Sequence, residues 1–191
     1  MKDKSVNRYS VLIVSSSEQF NMVVKKVLPD RRFNVIEVRK SASAARRELL
    51  VREYDIVIIN APLQDGMGTD FVMDLVEKNS AGVLFAVPSE LYCSANDHLI
   101  EYGVLTVSKP VKTEELERNI KLLVAMNDRL DRLKKKLVNV NEKLDELRLV
   151  SRAKLILVEK GMSEKDAHEH IIREAMNRGL TKKQVAEEIV E

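Results

Sequence analysis

The sequence contains no tryptophan, and aromatic residues make up only 4% of it, so any core has to be built from aliphatic side chains. Cysteine occurs once, at Cys93. A single thiol excludes an intrachain disulfide and a cysteine-based metal site, and it fits a reducing compartment. No segment approaches the roughly 20 consecutive apolar residues that a membrane-spanning helix needs. Residues 1–7 are polar and hold no apolar signal core. The expectation is a soluble, cytoplasmic protein with no membrane contact. Neither sign of charge is in large excess: 32 Lys and Arg stand against 30 Asp and Glu, a formal net charge of +2. A nucleic-acid partner therefore cannot be read from bulk charge, and any basic surface has to be local. No nucleophile–base pair, metal-ligand cluster or phosphate-cradling glycine loop is visible. Neither catalysis nor a cofactor or metal is expected.

What is present divides into three parts. Residues 9–14, 33–38, 56–59, 83–87 and 104–107 are short apolar runs. Helix-like stretches at 17–28, 41–51, 70–78 and 90–101 separate them. Ser41 is a plausible N-cap. Alternation of this kind implies a parallel sheet covered on both faces. The fold class is therefore α/β, a doubly wound, flavodoxin-like domain with a five-stranded parallel sheet. Ligands of such folds sit at the carboxyl ends of the strands. Those ends here carry Ser15 and Ser16, Asn60 and Ala61, Val87 and Pro88, and Ser108 to Pro110.

Residues 113–159 contain neither glycine nor proline. Leu123, Met126, Leu130, Leu133, Leu137, Val140, Leu144 and Leu147 alternate by three and four, a heptad seam. The pattern suits a homodimeric coiled coil; a long helix packed on its own chain is the alternative. With Leu130 at an a position, the flanking sites include Arg129, Lys134, Lys136, Asn141 and Lys143. That mostly basic rim forms no complementary pairs across a seam. Residues 151–191 hold the end of this helix and two shorter ones, begun by Ser163 and Thr181 and separated by Gly179. The expected division is 1–112, 113–150 and 151–191.

The first part resembles the receiver domain of two-component response regulators over about residues 8 to 122. The strand–helix order, the loop Asp65-Gly66-Met67-Gly68 and the segment Ser108-Lys109-Pro110 carry the resemblance. Receivers hold Mg²⁺ on an acidic pair after the first strand and phosphorylate an Asp after the third. They also use a hydroxyl residue after the fourth strand and a Lys after the fifth. Here those positions hold Ser15 and Ser16, Asn60, Val87 and Lys109. Mg²⁺ wants hard anionic oxygens, and an amide cannot attack a phosphoryl group as a carboxylate does. The resemblance thus implies a pseudo-receiver with a degenerate phosphorylation pocket. In it, Lys109 either binds an anion or small ligand or hydrogen-bonds Asn60 or nearby carbonyls. The resemblance also implies a regulatory or sensor protein as partner, with Leu91, Tyr92, Ile100, Tyr102 and Leu105 on the contact surface.

The last part resembles the ANTAR domain. Ala153-Lys154, Met162-Ser163-Glu164, Ala167, Arg173, Ala175-Met176, Leu180, Val185-Ala186 and Ile189-Val190 carry that match. Leu155 stands where the family often has Gly, and is expected to fill space between helices. Ala175, Met176, Val185, Ala186 and Ile189 are read as packing residues. Arg152, Lys154, Arg173, Arg178, Lys182 and Lys183 are the candidate RNA-binding cations. The resemblance implies an antiterminator that binds hairpin-containing leader transcripts. The alternative is a protein-interaction adaptor of a two-component-like pathway, without RNA binding.

Overall fold

The computed structural model describes residues 8–28 and 31–191. Five parallel strands form one sheet in the order β2-β1-β3-β4-β5: β1 Tyr9–Val14, β2 Phe33–Arg39, β3 Ile56–Asn60, β4 Gly82–Val87 and β5 Leu105–Ser108. β3 is buried along its whole length, as suits its apolar run Ile56–Ile59 covered on both faces, and Asn60 at its end is buried with it. In register, Val14 pairs with Ile59, Asn60 with Ala86 and Val87 with Ser108, so the carboxyl ends lie along one edge of the sheet. The strand order reverses between β1 and β3, where ligands of such folds bind.

Helices α2 (Ala42–Val51), α3 (Thr69–Lys78) and α4 (Tyr92–Leu99) supply one core, with Ala45, Phe71, Leu75 and Leu99 packed among the strand residues. Short 3₁₀ turns at Ser89–Leu91 and Ile100–Tyr102 flank α4, so this helix is shorter than its apolar pattern predicts. Helix α1 (Glu18–Val27) and the start of α5 (Thr113–Glu159) cover the other face. Serines cap two of these helices: Ser17 accepts from the Phe20 amide at 3.2 Å and Ser41 from the Ala44 amide at 3.2 Å. Gly68 enters α3 at φ +84, where a Cβ would also press on Leu63 at 3.1 Å.

The first compact unit extends through Leu130. Leu116, Ile120, Leu123 and Val124 form a stripe at helical spacing that closes the second face of the sheet, so the beginning of α5 is a layer of this unit. Asn127 donates to the Asp55 carbonyl at 2.9 Å, and Asp128 pairs with Arg32 at 2.9 Å and accepts from Tyr9. Leu123, the first position of the expected dimer seam, is therefore unavailable to a second chain. It is 1% exposed and lies so close to Gly82 that a Cβ there would meet it at 3.1 Å.

The second unit, residues 131–191, contains the rest of α5, α6 (Glu164–Arg178) and α7 (Lys182–Val190). Its small core joins Ala153, Leu157, Ala167, Ile171, Ala175, Val185 and Ala186. Four of these seven are alanines, which lets three short helices approach closely. Ser163 caps α6, Gly179 ends it in the left-handed region at φ 63, and Thr181 with Gln184 forms a capping box on α7.

Candidate functional site

The carboxyl ends of β1, β3 and β5 bring Ser15, Asn60 and Lys109 together. Ser15 follows β1 and is fully buried; its Oγ accepts from the Ser17 amide at 3.1 Å and from Asn60 Nδ2 at 3.0 Å. Asn60 ends β3 and is 3% exposed, and its Oδ1 has no hydrogen-bond partner among the described residues. Lys109 follows β5 and precedes a cis peptide to Pro110. Its ammonium group donates to the Ala61 carbonyl, and burial pushes its pKa below the ordinary lysine value. A cavity of about 290 Å³ opens beside Asn60 and Lys109.

The other two pocket positions lie apart from this group. Ser16 is exposed. Val87 is buried at the end of β4 and lines a separate, mainly apolar cavity of about 210 Å³ beside Phe85, Leu91 and Ala95.

A divalent cation does not fit the relict pocket. Ser15, Ser16 and Asn60 offer only neutral oxygens, and Lys109 adds a positive charge. The nearby acid Asp65 is committed elsewhere: it accepts from the amides of Ala42 at 2.8 Å and Ser43 at 2.9 Å, at the N-terminus of α2. Those backbone bonds hold its carboxyl below the usual carboxylate range. Among the described residues, no group of three His, Cys, Asp or Glu side chains could hold a metal ion.

In the second unit the six candidate cations divide in two. Lys154 reaches Glu164 at 3.1 Å, linking α5 to the first turn of α6. Arg178 makes a two-pronged pair with Glu188 at 2.5 and 2.9 Å, tying α6 to α7, and the pair raises the Arg178 pKa and lowers that of Glu188. Lys183 lies 3.9 Å from Glu187. Arg152, Arg173 and Lys182 are exposed and make no ion pair among the described residues.

Residues 139–190 match the ANTAR domain family. Over those residues the chain is similar to the ANTAR domain. The match begins inside α5, upstream of Ser151. No curated protein matches the chain. Among solved structures, the signal receiver domain of an HD domain-containing protein from Pseudomonas fluorescens Pf-5 is similar, with 19% identity and a TM-score of 0.58 over 69% of this chain and 98% of that one. The HemR receiver domain from Leptospira biflexa shares 21% identity with a TM-score of 0.54, covering 61% of this chain and 94% of its own. An adenylate cyclase structure from Rhodopirellula baltica is also similar, at 14% identity and a TM-score of 0.59 over 69% and 98% of the two chains. At these identities the likeness shows the fold: the first unit is a flavodoxin-like receiver fold. The chain thus joins a receiver-like fold to a segment similar to the ANTAR domain. No helix among the described residues is long and apolar enough to cross a membrane.

Two residues of the ANTAR domain depart from their sequence-based reading. Met176 is 78% exposed and is not a packing residue, because the buried face of α6 runs through Ala167, Ile171 and Ala175 and Met176 lies a third of a turn beyond it. Leu155 is also exposed, between the buried Ala153 and Leu157, so it does not fill space between helices. Each stands three residues from an unpaired cation on the same helix, Leu155 after Arg152 and Met176 after Arg173. Spacing of i and i+3 puts each pair on one surface.

Two roles escaped the sequence. The capping by Asp65 spans more than twenty residues, and no local pattern announces it. The Arg178–Glu188 pair joins the last turn of α6 to the far end of α7, ten residues on, and no local pattern announces it either. The remaining seam residues are exposed. Met126 lies at 42%, and Leu130, Leu133, Leu137, Val140, Leu144 and Leu147 lie between 46% and 63%.

Proposed function

We propose that this chain is an RNA-binding regulator that antagonises transcription termination, recognising hairpin-containing leader transcripts through its ANTAR domain. The carrying observation is the ANTAR match at residues 139–190, in a domain whose Arg152, Arg173 and Lys182 have no ion-pair partner among the described residues. Guanidinium and ammonium groups left in water bind phosphate oxygens, and Arg also stacks on or bonds to unpaired loop bases. The ANTAR domain has no Phe, Tyr or Trp to serve as a stacking platform. That supports base contact by Arg152 and Arg173, with Leu155 and Met176 as their apolar neighbours. Lys154, Arg178 and Lys183 contribute less, because each already has a carboxylate nearby.

Two chains join through the exposed seam from Met126 to Leu147. A dimer presents two RNA-binding ends to a pair of hairpins, and the second contact gains from effective concentration. Such a regulator works in the bacterial cytoplasm, where transcripts form. The receiver unit is read as a non-phosphorylatable input module, since Asn60 stands at the end of β3 and no carboxylate replaces it. Incubation with a small acyl-phosphate donor is expected to leave the intact mass unchanged; a stable phosphoryl adduct would contradict this. The reading assigns the chain regulation by binding, not catalysis.

The competing reading is a protein-interaction adaptor. It draws support from Leu91, Ile100 and Tyr102, large apolar side chains exposed around α4. Fluorescence titration of a two-hairpin leader RNA separates the two, since an adaptor has no salt-dependent RNA affinity.

A further inference from the structure

The cavity beside Asn60 has a mixed lining: Lys109, Asn60, Ser17 and Gln19 supply polar groups, and apolar side chains including Val23 and Leu116 supply the rest. Lys109 has three N–H donors and spends one on the Ala61 carbonyl, which leaves two for an incoming acceptor. Asn60 is short of a donor. Its Nδ2 is held by Ser15 Oγ at 3.0 Å, while its Oδ1 is buried without a partner. A buried acceptor left unsatisfied is costly and is rarely kept without a purpose. The assignment of the amide orientation follows from Ser15, whose hydroxyl donates to the Ser17 carbonyl at 3.5 Å and accepts from the Ser17 amide at 3.1 Å, so that toward Asn60 its Oγ acts as an acceptor. No acidic side chain lines the cavity.

These features define a complement. The cation calls for one negative charge, the orphan carbonyl for a neighbouring N–H or O–H, and the apolar side chains for a short hydrocarbon. The absence of a lining carboxylate disfavours a second positive charge on the ligand. We propose that this cavity binds a small monocarboxylate bearing a neutral hydrogen-bond donor beside the carboxyl group, a 2-hydroxy acid with a short aliphatic tail. The carboxylate lies on Lys109, the hydroxyl donates to Asn60 Oδ1 after a small rotation of that amide, and the tail lies against Val23 and Leu116. The site is independent of RNA binding, and it gives the receiver unit an input that needs no phosphoryl group.

Calorimetric titration of the full chain with 2-hydroxy-4-methylpentanoate tests this, with 4-methylpentanoate and the 2-oxo acid as the comparison ligands. The hydroxy acid is expected to bind about tenfold tighter than either, the worth of one hydrogen bond. Perturbation of the Asn60 side-chain amide signal by NMR is expected on binding, and Lys109→Gln is expected to abolish the heat. The ligand comparison is made on the unaltered protein, so a variant that fails to fold does not remove the test. Equal affinity for all three acids, tighter binding of the 2-oxo acid, or no saturable binding of any of them overturns the proposal.

Discussion

Asp65 shows how a residue can sit beside a relict site and serve the fold instead. Its carboxylate accepts two backbone amides of α2, and these bonds depress its pKa. Asp65→Ala is expected to cost about 1 kcal/mol, the usual worth of an N-terminal cap, measured by urea unfolding at neutral pH. A depressed folded pKa means the contribution is complete above the unfolded value, about 3.9, and is lost as pH falls through the lower folded value. The variant and the parent are thus expected to converge in stability only in strong acid. From sequence, Asp65 was visible as an acid near the third strand, but not its target, because the capped amides are far away in the chain. Arg178 poses a related contrast with Arg173. Arg178→Ala is expected to loosen the ANTAR domain by releasing Glu188, seen as a lower melting temperature. Arg173→Ala is expected to leave melting unchanged and weaken RNA binding. Reversed outcomes would exchange the roles of the two residues.

Helix α5 is the element whose length was most legible and whose function was least so. The absence of glycine and proline from 113 to 159 marks both ends of the helix. The start of the seam was not legible, since a stripe facing a sheet and a stripe facing a partner helix share the spacing of three and four. Only burial separates Leu123 from Leu137. Leu123→Ala is expected to cost about 2–5 kcal/mol through the cavity it leaves. Leu137→Ala, at a site 62% exposed in the single chain, is expected to change monomer stability by less than about 0.5 kcal/mol. The proposed dimer has a further expected signature. Arg129, Lys134, Lys136 and Lys143 flank the seam, so joining two chains brings like charges together. Sedimentation velocity is expected to show dimerisation strengthening as salt rises, because screening relieves this repulsion. Weakening with salt would argue against the seam as the contact, and Leu137→Asp with Leu144→Asp is expected to yield monomers.

For the whole molecule, the alternation of strands and helices was enough to predict the sheet, and TM-scores of 0.52 to 0.59 against solved receivers and related chains agree with it. The residues after β1, β3 and β5 were placed from the order of elements alone, and the structure brings three of them together. The RNA-facing residues were less legible. The ANTAR segment balances its acids and bases, and which cations are already paired is a property of the packed helices, not of the chain order. The separation of Arg152, Arg173 and Lys182 from Lys154, Arg178 and Lys183 therefore emerged only in three dimensions. The most direct measurement is a titration of the full chain against a two-hairpin leader RNA across a range of salt concentrations, with Arg152, Arg173 and Lys182 replaced together by Ala in a parallel sample. The expected result is salt-dependent binding whose slope of log K against log salt falls by about one for each lost phosphate contact, with melting unchanged. Undiminished binding by the triple variant would refute the assigned contacts, and no RNA binding by the parent chain would contradict the central claim.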